Sequence, residues 1–399
     1  MSGVDRERIR AVRASVVRGG GADYHDQTAS HWIVGHIATP MSRYPEYRDT
    51  RSSWGLNALG TVVVEVEDHA GRVGVGISTG GVPAAWLVAN HLGRFAVDRR
   101  PSQYELIWDQ MYRASLYYGR KGLALNALSA VDLAIWDLWG RQREEPVYAL
   151  LGGPVRQHLP CYATGPNPEW AVADGFVGGK LPLVHGPDEG EEGFRANVER
   201  FARARQAVGP HALLMLDCWM ALDLPYAGRL AAALREHQIH WIEECFPPDD
   251  YWAYRALKAR LPEGVRMATG EHEATRWGFR LLLEQAAPDV IQPDVGWCGG
   301  LTELRRIAAL AEASGVEVIP HGSSVYSFHL AAARPDARVS EFLMVHPRAE
   351  GVVPQFYPLL LGEPVPEHGV VTLSEAPGFG VDLNPAVART VVEPGAPPP

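Results

Sequence analysis

Single acidic residues close successive short apolar runs along this chain at nearly even intervals. They are Asp217 in LLMLDCW, Glu243 in IHWIEEC and Glu271 in RMATGEH, spaced by 26 and 28 residues. The rhythm continues with Asp294 in DVIQPDVGW, His321 in VEVIPHGSS and Glu341 in VSEFLM. A (β/α)₈ barrel of ~250 residues uses about 30 residues per β/α unit and builds its site where the strands end. One functional group per unit, always where the apolar run stops, therefore puts six of them around one barrel mouth. Three carboxylates converging there suit a hard divalent cation such as Mg²⁺. A histidine one strand away from an aspartate suits proton abstraction.

Composition narrows the function classes. The chain has 399 residues, room for two or three domains, and 46% hydrophobic content supports a sizeable core. Its net charge is −10 with no basic stripe, which argues against nucleic-acid binding. An anionic small molecule stays compatible, because a local Arg or a metal reverses the field inside a pocket. Cys161, Cys218, Cys245 and Cys298 are far apart and form no C-x-x-C pair, so a reduced cytoplasmic chain is expected. The start MSGVDRERIRAV lacks an apolar signal core, and no apolar run approaches the ~18 residues of a membrane span.

Three parts follow one another. Residues 1–150 read as an α+β capping module with three β-branched strands, IRAVRASVVRG, TVVVEVED and VGVGIST. Helical stretches are expected near 84–96 and 103–117, and most strongly over 123–142. In that last helix Leu125, Leu128, Val131, Ile135, Leu138 and Trp139 share one face, with Asp132 and Asp137 elsewhere. Residues 151–344 alternate strands (LPCYAT, DGFVGGK, ALLMLD, IHWIEE, VRMATGE, DVIQPD, VEVIPH, RVSEFLM) with helical patterns, eight units in all. Residues 345–399, rich in Pro and Gly, are expected to return to the first domain, with a disordered EPGAPPP tail. Residues 18–55 have no clean periodicity yet carry His25, His31, His36, Arg43, Arg48, Arg51 and several aromatics. A loop that long reads as a lid bringing cationic groups to a carboxylate substrate.

Each of these residues also has a bland reading. One strand-end carboxylate is ordinarily a solvated residue; three in consecutive units read as ligands. His321 alone would be a core histidine, but one unit after Asp294 it is a candidate base. Glu244 follows Glu243 directly, points to the opposite face and reads as structural. His272 is divided between site wall and packing. Gly74, Gly76, Gly80 and Gly81 in VGVGISTGG do not have the G-x-G-x-x-G spacing of a dinucleotide site. The cysteines beside the acids read as small packing groups.

The ordered set Asp217, Glu243, Glu271, Asp294, His321 and Glu341 resembles the enolase superfamily, mandelate racemase subgroup, and within it most closely the L-rhamnonate dehydratases. The segments GGADYHDQ, HIATPMS, LMLDCWM, WIEEC, IQPDVGWCGGLT, PHGSSVYS, SEFLM, PQFYPLLLGEPVP and PGFGVDLN carry it, from about residue 10 to 385. The resemblance implies an enolase-like modified barrel under an α+β capping domain, and Mg²⁺-dependent loss of water from a sugar acid. It implies Asp217, Glu243 and Glu271 as Mg²⁺ ligands, His321 as general acid/base and Asp294 as its partner. Glu341 matches the group that stabilises the intermediate; if protonated, it could donate a hydrogen bond to the developing charge, and His321, neutral at rest, would take the proton. His25 and Arg51 match substrate-binding positions in the lid. Dimers assembling into an octamer are implied as well. One departure matters: the wider subgroup ends its second strand K-x-K, whereas here Lys180 is present but position 182 is proline, so no second lysine faces the histidine. Dehydration of L-rhamnonate, L-mannonate or L-lyxonate is thereby favoured over racemisation at C2. A metal-dependent hydrolase would need an H-x-H that LPCYAT lacks, and a non-enzymatic barrel would not be expected to keep every ligand.

Overall fold

The computed structural model describes residues 6–17, 31–35, 37–49 and 59–399. Its first layer is a sheet in which β1 (Ile9–Val17), β2 (Thr61–Asp68) and β3 (Val73–Thr79) pair antiparallel. Val62, Val63, Val64 and Val66 of β2 are all buried, so the sheet is covered on both faces. Three helices follow: α1 (Gly81–Asn90), α2 (Tyr104–Ser115) and α3 (Leu123–Arg143).

Helix α3 organises the whole domain. A Cβ added at Gly74 would lie 2.2 Å from the Ala134 carbonyl oxygen, and one at Gly76 would lie 2.0 Å from that of Ala130. These β3 glycines therefore let α3 lie directly on the strand, which explains the glycine-rich VGVGISTGG without any ligand. The one-faced amphipathic pattern expected for α3 is not what forms. The helix is buried on almost every side, and both of its aspartates are inside with it. Asp132 accepts from the Thr302 amide at 2.9 Å and the Thr302 hydroxyl at 2.6 Å. Asp137 accepts from the amides of Val75 (2.9 Å) and Phe379 (2.8 Å) and from Arg141 (2.8 Å). Periodicity cannot distinguish a solvated carboxylate from one satisfied by a neighbouring element.

The second layer is a parallel sheet of eight strands: β4 (His158–Thr164), β5 (Gly178–Pro182), β6 (Leu213–Asp217), β7 (Trp241–Glu243), β8 (Arg266–Thr269), β9 (Val290–Ile291), β10 (Glu317–Val318) and β11 (Ser340–Leu343). The ladder runs β10-β9-β8-β7-β6-β5-β4-β11, each strand beside its neighbour in sequence apart from the β4–β11 closure. Consecutive residues go to different cores. Met215, Trp241, Ala268, Val290 and Ile319 meet Tyr162 inside the barrel. Leu214, Leu216, Ile242, Met267, Ile291 and Val318 face outward and join the helix layer. That layer includes α4 (Gly190–Val208), α5 (Leu224–Leu234), α6 (Tyr251–Lys258), α7 (Thr275–Gln285), α8 (Gly300–Ala313) and α9 (Val325–Ala333). No helix among the described residues is long and apolar enough to cross a membrane.

The C-terminal segment adds β12 (Leu360–Leu361), β13 (Val370–Thr372), β14 (Asp382–Leu383) and β15 (Thr390–Val392). Strand β15 pairs antiparallel with β1, so the first sheet has four strands, not the three read locally from the first 150 residues. The tail expected to be disordered is bonded where it passes α1: Trp86 donates to the Ala396 carbonyl at 2.8 Å, and the Gly395 amide donates to Asn90 at 2.7 Å. Composition suggested disorder because it does not register two hydrogen bonds to a distant helix.

Gly76→Ala should cost about 3 kcal/mol or more, because the clash is with helix backbone that cannot rotate away. Gly228→Ala in α5, where an added Cβ meets nothing within 4 Å, should stabilise by about 0.5–1 kcal/mol. Thermal melts of the two variants beside the parent check both signs.

Candidate active site

The inward phase of each strand continues into the mouth. Asp217 lies two residues after Met215, Glu243 two after Trp241 and His321 two after Ile319, all with inward-facing predecessors. Glu271 breaks this count. Period two from Ala268 would bring Gly270 inward, but Gly270 takes φ +118°, which turns the chain so that Glu271 lines the cavity. One carboxylate oxygen from each of Asp217, Glu243 and Glu271 lies within 4.8 Å of the others.

Hydrogen bonds fix how these groups face. Glu243 Oε2 accepts from the Trp241 indole at 2.7 Å and from Gln292 at 2.9 Å, which leaves Oε1 toward the cluster. Asp217 Oδ1 accepts from the Trp219 amide at 3.0 Å. Glu271 Oε2 is buried with no hydrogen-bond donor. Burial and mutual repulsion push Asp217 up to about 6 and Glu243 up to about 7, against the pull of Lys180. Glu271 is raised too, mainly by burial. Three crowded acids, one with an orphaned buried oxygen, form a donor set that fits a divalent cation with oxygen ligands.

His321 Nδ1 lies 2.8 Å from Asp294 Oδ2, while Nε2 faces Glu271 Oε2 at 3.5 Å. The Gly296 amide fixes the other Asp294 oxygen at 2.7 Å. Burial opposes a charge on His321, but Glu271, the Asp294 hydrogen bond and Glu341 outweigh it and push the ring up to about 10. With no cation on the acids, the charged ring is favoured over the neutral one read from sequence. Its largest supporting charge is on Glu271, which a bound cation would neutralise.

Glu341 also differs from expectation. Burial works to raise its pKa, yet Lys180, His321 and the Thr164 hydroxyl hold it down at about 2. It accepts from Thr164 at 2.5 Å and from the Gly322 amide at 2.8 Å, and pairs with Lys180 at 2.9 Å. A charged acceptor thus stands where a protonated donor was expected. The Gly322 contact also joins the loop after β10 to β11.

Lys180, read from sequence only as the lysine ending the second barrel strand, sits inside the acidic cluster. Its ammonium, 1% exposed, bonds Glu243 and Glu341 and lies 4.0 Å from Asp217. Burial disfavours its charge, but the surrounding carboxylates keep it well above the usual lysine range. A lysine between Gly179 and Leu181 in a wholly buried strand was the available signal. Glu244, one residue out of phase, accepts instead from the Thr269 hydroxyl and the Gly270 amide, and its other oxygen lies 3.2 Å from His272. Trp297 lies between the His272 and His321 rings, at centroid separations of 5.7 and 5.4 Å.

The described residues of the early segment meet this mouth with apolar side chains. Trp32, Ile33 and Ile37 line the cavity with Trp219, Trp297 and Leu343. The Trp32 amide and indole donate to the carbonyls of Pro347 (3.0 Å) and Met344 (2.7 Å), and the Ala38 amide donates to that of Leu183 at 2.9 Å. His31 is not a cation facing substrate. It is buried, its Nε2 bonds the Val345 carbonyl at 2.9 Å, and burial lowers its pKa. Arg43 and Arg48 do not line the cavity. His25, His36 and Arg51 lie outside the described residues.

Comparison with known proteins agrees with this geometry. Residues 53–152 match the mandelate racemase / muconate lactonizing enzyme N-terminal domain, and residues 168–387 match the enolase C-terminal domain-like family. A protein from Saccharopolyspora erythraea named L-rhamnonate dehydratase is 60% identical, over 95% of this chain and 97% of that one. The crystal structure of rhamnonate dehydratase from Gibberella zeae complexed with Mg is 44% identical and superposes with a TM-score of 0.93, over 96% of this chain and 95% of that one. The 3,6-anhydro-D-galactonate cycloisomerase from Zobellia galactanivorans is similar at 25% identity and a TM-score of 0.74, over 94% and 97% of the two chains. With both of its domains matched and the ordered acids at the barrel mouth, the chain belongs to the mandelate racemase / muconate lactonizing enzyme family of enolase-like proteins.

Proposed function

We propose that this protein is a Mg²⁺-dependent hydro-lyase that converts L-rhamnonate to 2-keto-3-deoxy-L-rhamnonate and water. The observation that carries the reading is the placement of one His–Asp pair 3.5 Å from the acidic triad at one barrel mouth, with Lys180 tied to carboxylates beside it. The relatives named as rhamnonate dehydratases support the substrate. So does the apolar wall of Trp32, Ile33, Ile37 and Leu343, which suits the methyl end of a deoxy sugar acid better than a hydroxymethyl.

Asp217, Glu243 and Glu271 would hold the metal. When bound, Mg²⁺ supplies a fixed positive charge for the substrate carboxylate and for the negative charge that develops when the C2 proton leaves. His321 takes that proton on Nε2 while Asp294 holds the Nδ1 side and stabilises the resulting cation. The same ring then delivers the proton to the C3 hydroxyl as the C3–O bond breaks, water departs and the enol tautomerises to the keto acid. Lys180 adds a second positive charge beside the cluster, and Glu341, held charged, accepts from a substrate hydroxyl. Racemisation requires a base on the opposite face; the position that would carry it is Pro182, which lines the cavity. We also propose a homo-oligomer. The large apolar side chains Trp252 (70% exposed) and Trp277 (46% exposed) on barrel helices support it.

Purified protein with Mg²⁺, offered a stereochemically complete set of aldonic acids, should form 2-keto acid fastest from L-rhamnonate, with L-mannonate and L-lyxonate slower. A chelator should abolish turnover and Mg²⁺ restore it, and calorimetry should show Glu271→Gln losing metal binding while its fold is kept. Full turnover after exhaustive metal removal would overturn the ligand assignment.

His321→Asn should abolish dehydration and also exchange of the C2 proton with solvent deuterium, since one residue begins both. Because one ring serves both groups, elimination should be syn. Exchange that persists in this variant would reveal a second base, with Lys180 and His272 the first to replace.

A further inference from the structure

The geometry points to two side chains outside the barrel, Ser78 and Gln355, as positioning residues that set the His321–Asp294 pair; this rests on the proton transfer proposed above. The pair hangs from the weakest part of the barrel. Strands β9 and β10, which lead into Asp294 and His321, have two residues each, the shortest of the eight. Each therefore contributes few ladder hydrogen bonds to hold the residue beyond it. A catalytic histidine must nevertheless be held closely, because misplacement by about 1 Å costs roughly 100-fold in rate.

Other domains supply the missing constraint. Ser78, on β3 of the first sheet and 5% exposed, donates to the Gly296 carbonyl at 2.7 Å. The amide of that same Gly296 donates to Asp294 Oδ1 at 2.7 Å, and Asp294 Oδ2 meets His321 Nδ1 at 2.8 Å. A Cβ at Gly296 would lie 3.1 Å from Asp294 Oδ1 and 3.4 Å from Ser78 Oγ, so the three groups are packed as one unit. On the other side Gln355, 7% exposed and part of the C-terminal segment, accepts from the Ser323 amide at 2.8 Å and its hydroxyl at 3.2 Å. That contact fixes the turn two residues after His321. Gly322, between them, has φ +75°, and a Cβ there would lie 3.4 Å from Gln355 Oε1 and 4.0 Å from Asp294 Oδ2. Ser78 and Gln355 line a small separate cavity behind the pair and not the one containing the acidic cluster. They can therefore orient the base without touching substrate.

The test compares Ser78→Ala, Ser78→Thr and Gln355→Leu as Mg²⁺-loaded full-length enzymes. Removing the Ser78 hydroxyl or the Gln355 acceptor should lower kcat roughly 10- to 100-fold with KM unchanged. The isotope effect with C2-deuterated substrate should rise, and Ser78→Thr should recover most of the rate. In protein with ¹⁵N-labelled histidine, the low-field Nδ1 proton of His321 should shift or broaden in Ser78→Ala and Gln355→Leu and return in Ser78→Thr. Wild-type kcat with an unmoved proton signal in folded variants would overturn the assignment, as would a change confined to KM. If Ser78→Ala does not fold, Gln355→Leu gives the same two readouts from the opposite side. A wild-type protein inactive on every aldonic acid would defeat the functional reading alone, because the proton signal reports the positioning without turnover.

Discussion

Much of the active-site end of this molecule depends on one electrostatic arrangement, a buried ammonium set among buried carboxylates. Asp217, Glu271 and Glu341 line a mouth with Glu243 beneath them, and among the described residues the only Lys or Arg in that lining is Lys180. An unpaired buried charge costs several kcal/mol, so these acids persist together only if some are compensated and others are protonated or metal-bound. Lys180 bonds both Glu243 and Glu341, but only Glu341 is held low, because His321 and the Thr164 hydroxyl act there beside the lysine; burial and mutual repulsion leave Asp217, Glu243 and Glu271 raised. The acids left high are those that would receive a cation.

The frame carrying this arrangement was largely legible in the sequence, and the residues show why. Barrel strands alternate between two hydrophobic environments, so a polar residue at a strand end stands out against a continuous apolar run. Asp217, Glu243, Asp294, His321 and Glu341 all gave that signal. Glu271 gave it too, though the left-handed Gly270 that makes it work was not visible as such. What was hidden depends on contacts between distant segments. The burial of Asp132 and Asp137 requires Thr302, Val75 and Phe379. The charge state of Glu341 requires Lys180 and the Thr164 hydroxyl. The first sheet requires a strand some 370 residues further on. No local pattern encodes such partners. In the early segment the cationic residues drew attention, whereas the described residues that line the cavity are Trp32, Ile33 and Ile37.

Glycine has two different uses here. Gly74 and Gly76 remove side chains so that α3 can touch β3, a packing role with no ligand behind it. Gly270 and Gly322 provide backbone angles that aim Glu271 and hold the turn after His321. Spacing motifs cannot tell these uses apart, whereas an added Cβ can: the first pair would strike helix backbone within 2.2 Å, and the second pair meets side chains no closer than 3.1 Å but sits at positive φ.

The pairing of Val16 with Thr390 has a consequence for how the chain is made. A ribosome adding about 5–20 residues per second finishes the barrel long before β15 emerges. Between the synthesis of β1 and that of β15, on the order of tens of seconds, the outer edge of β1 presents unpaired backbone groups, the surface to which foreign strands add most readily. Completion of the first sheet thus waits on a strand that is made after the whole barrel, and until β15 pairs the β1 edge stays open to strand addition.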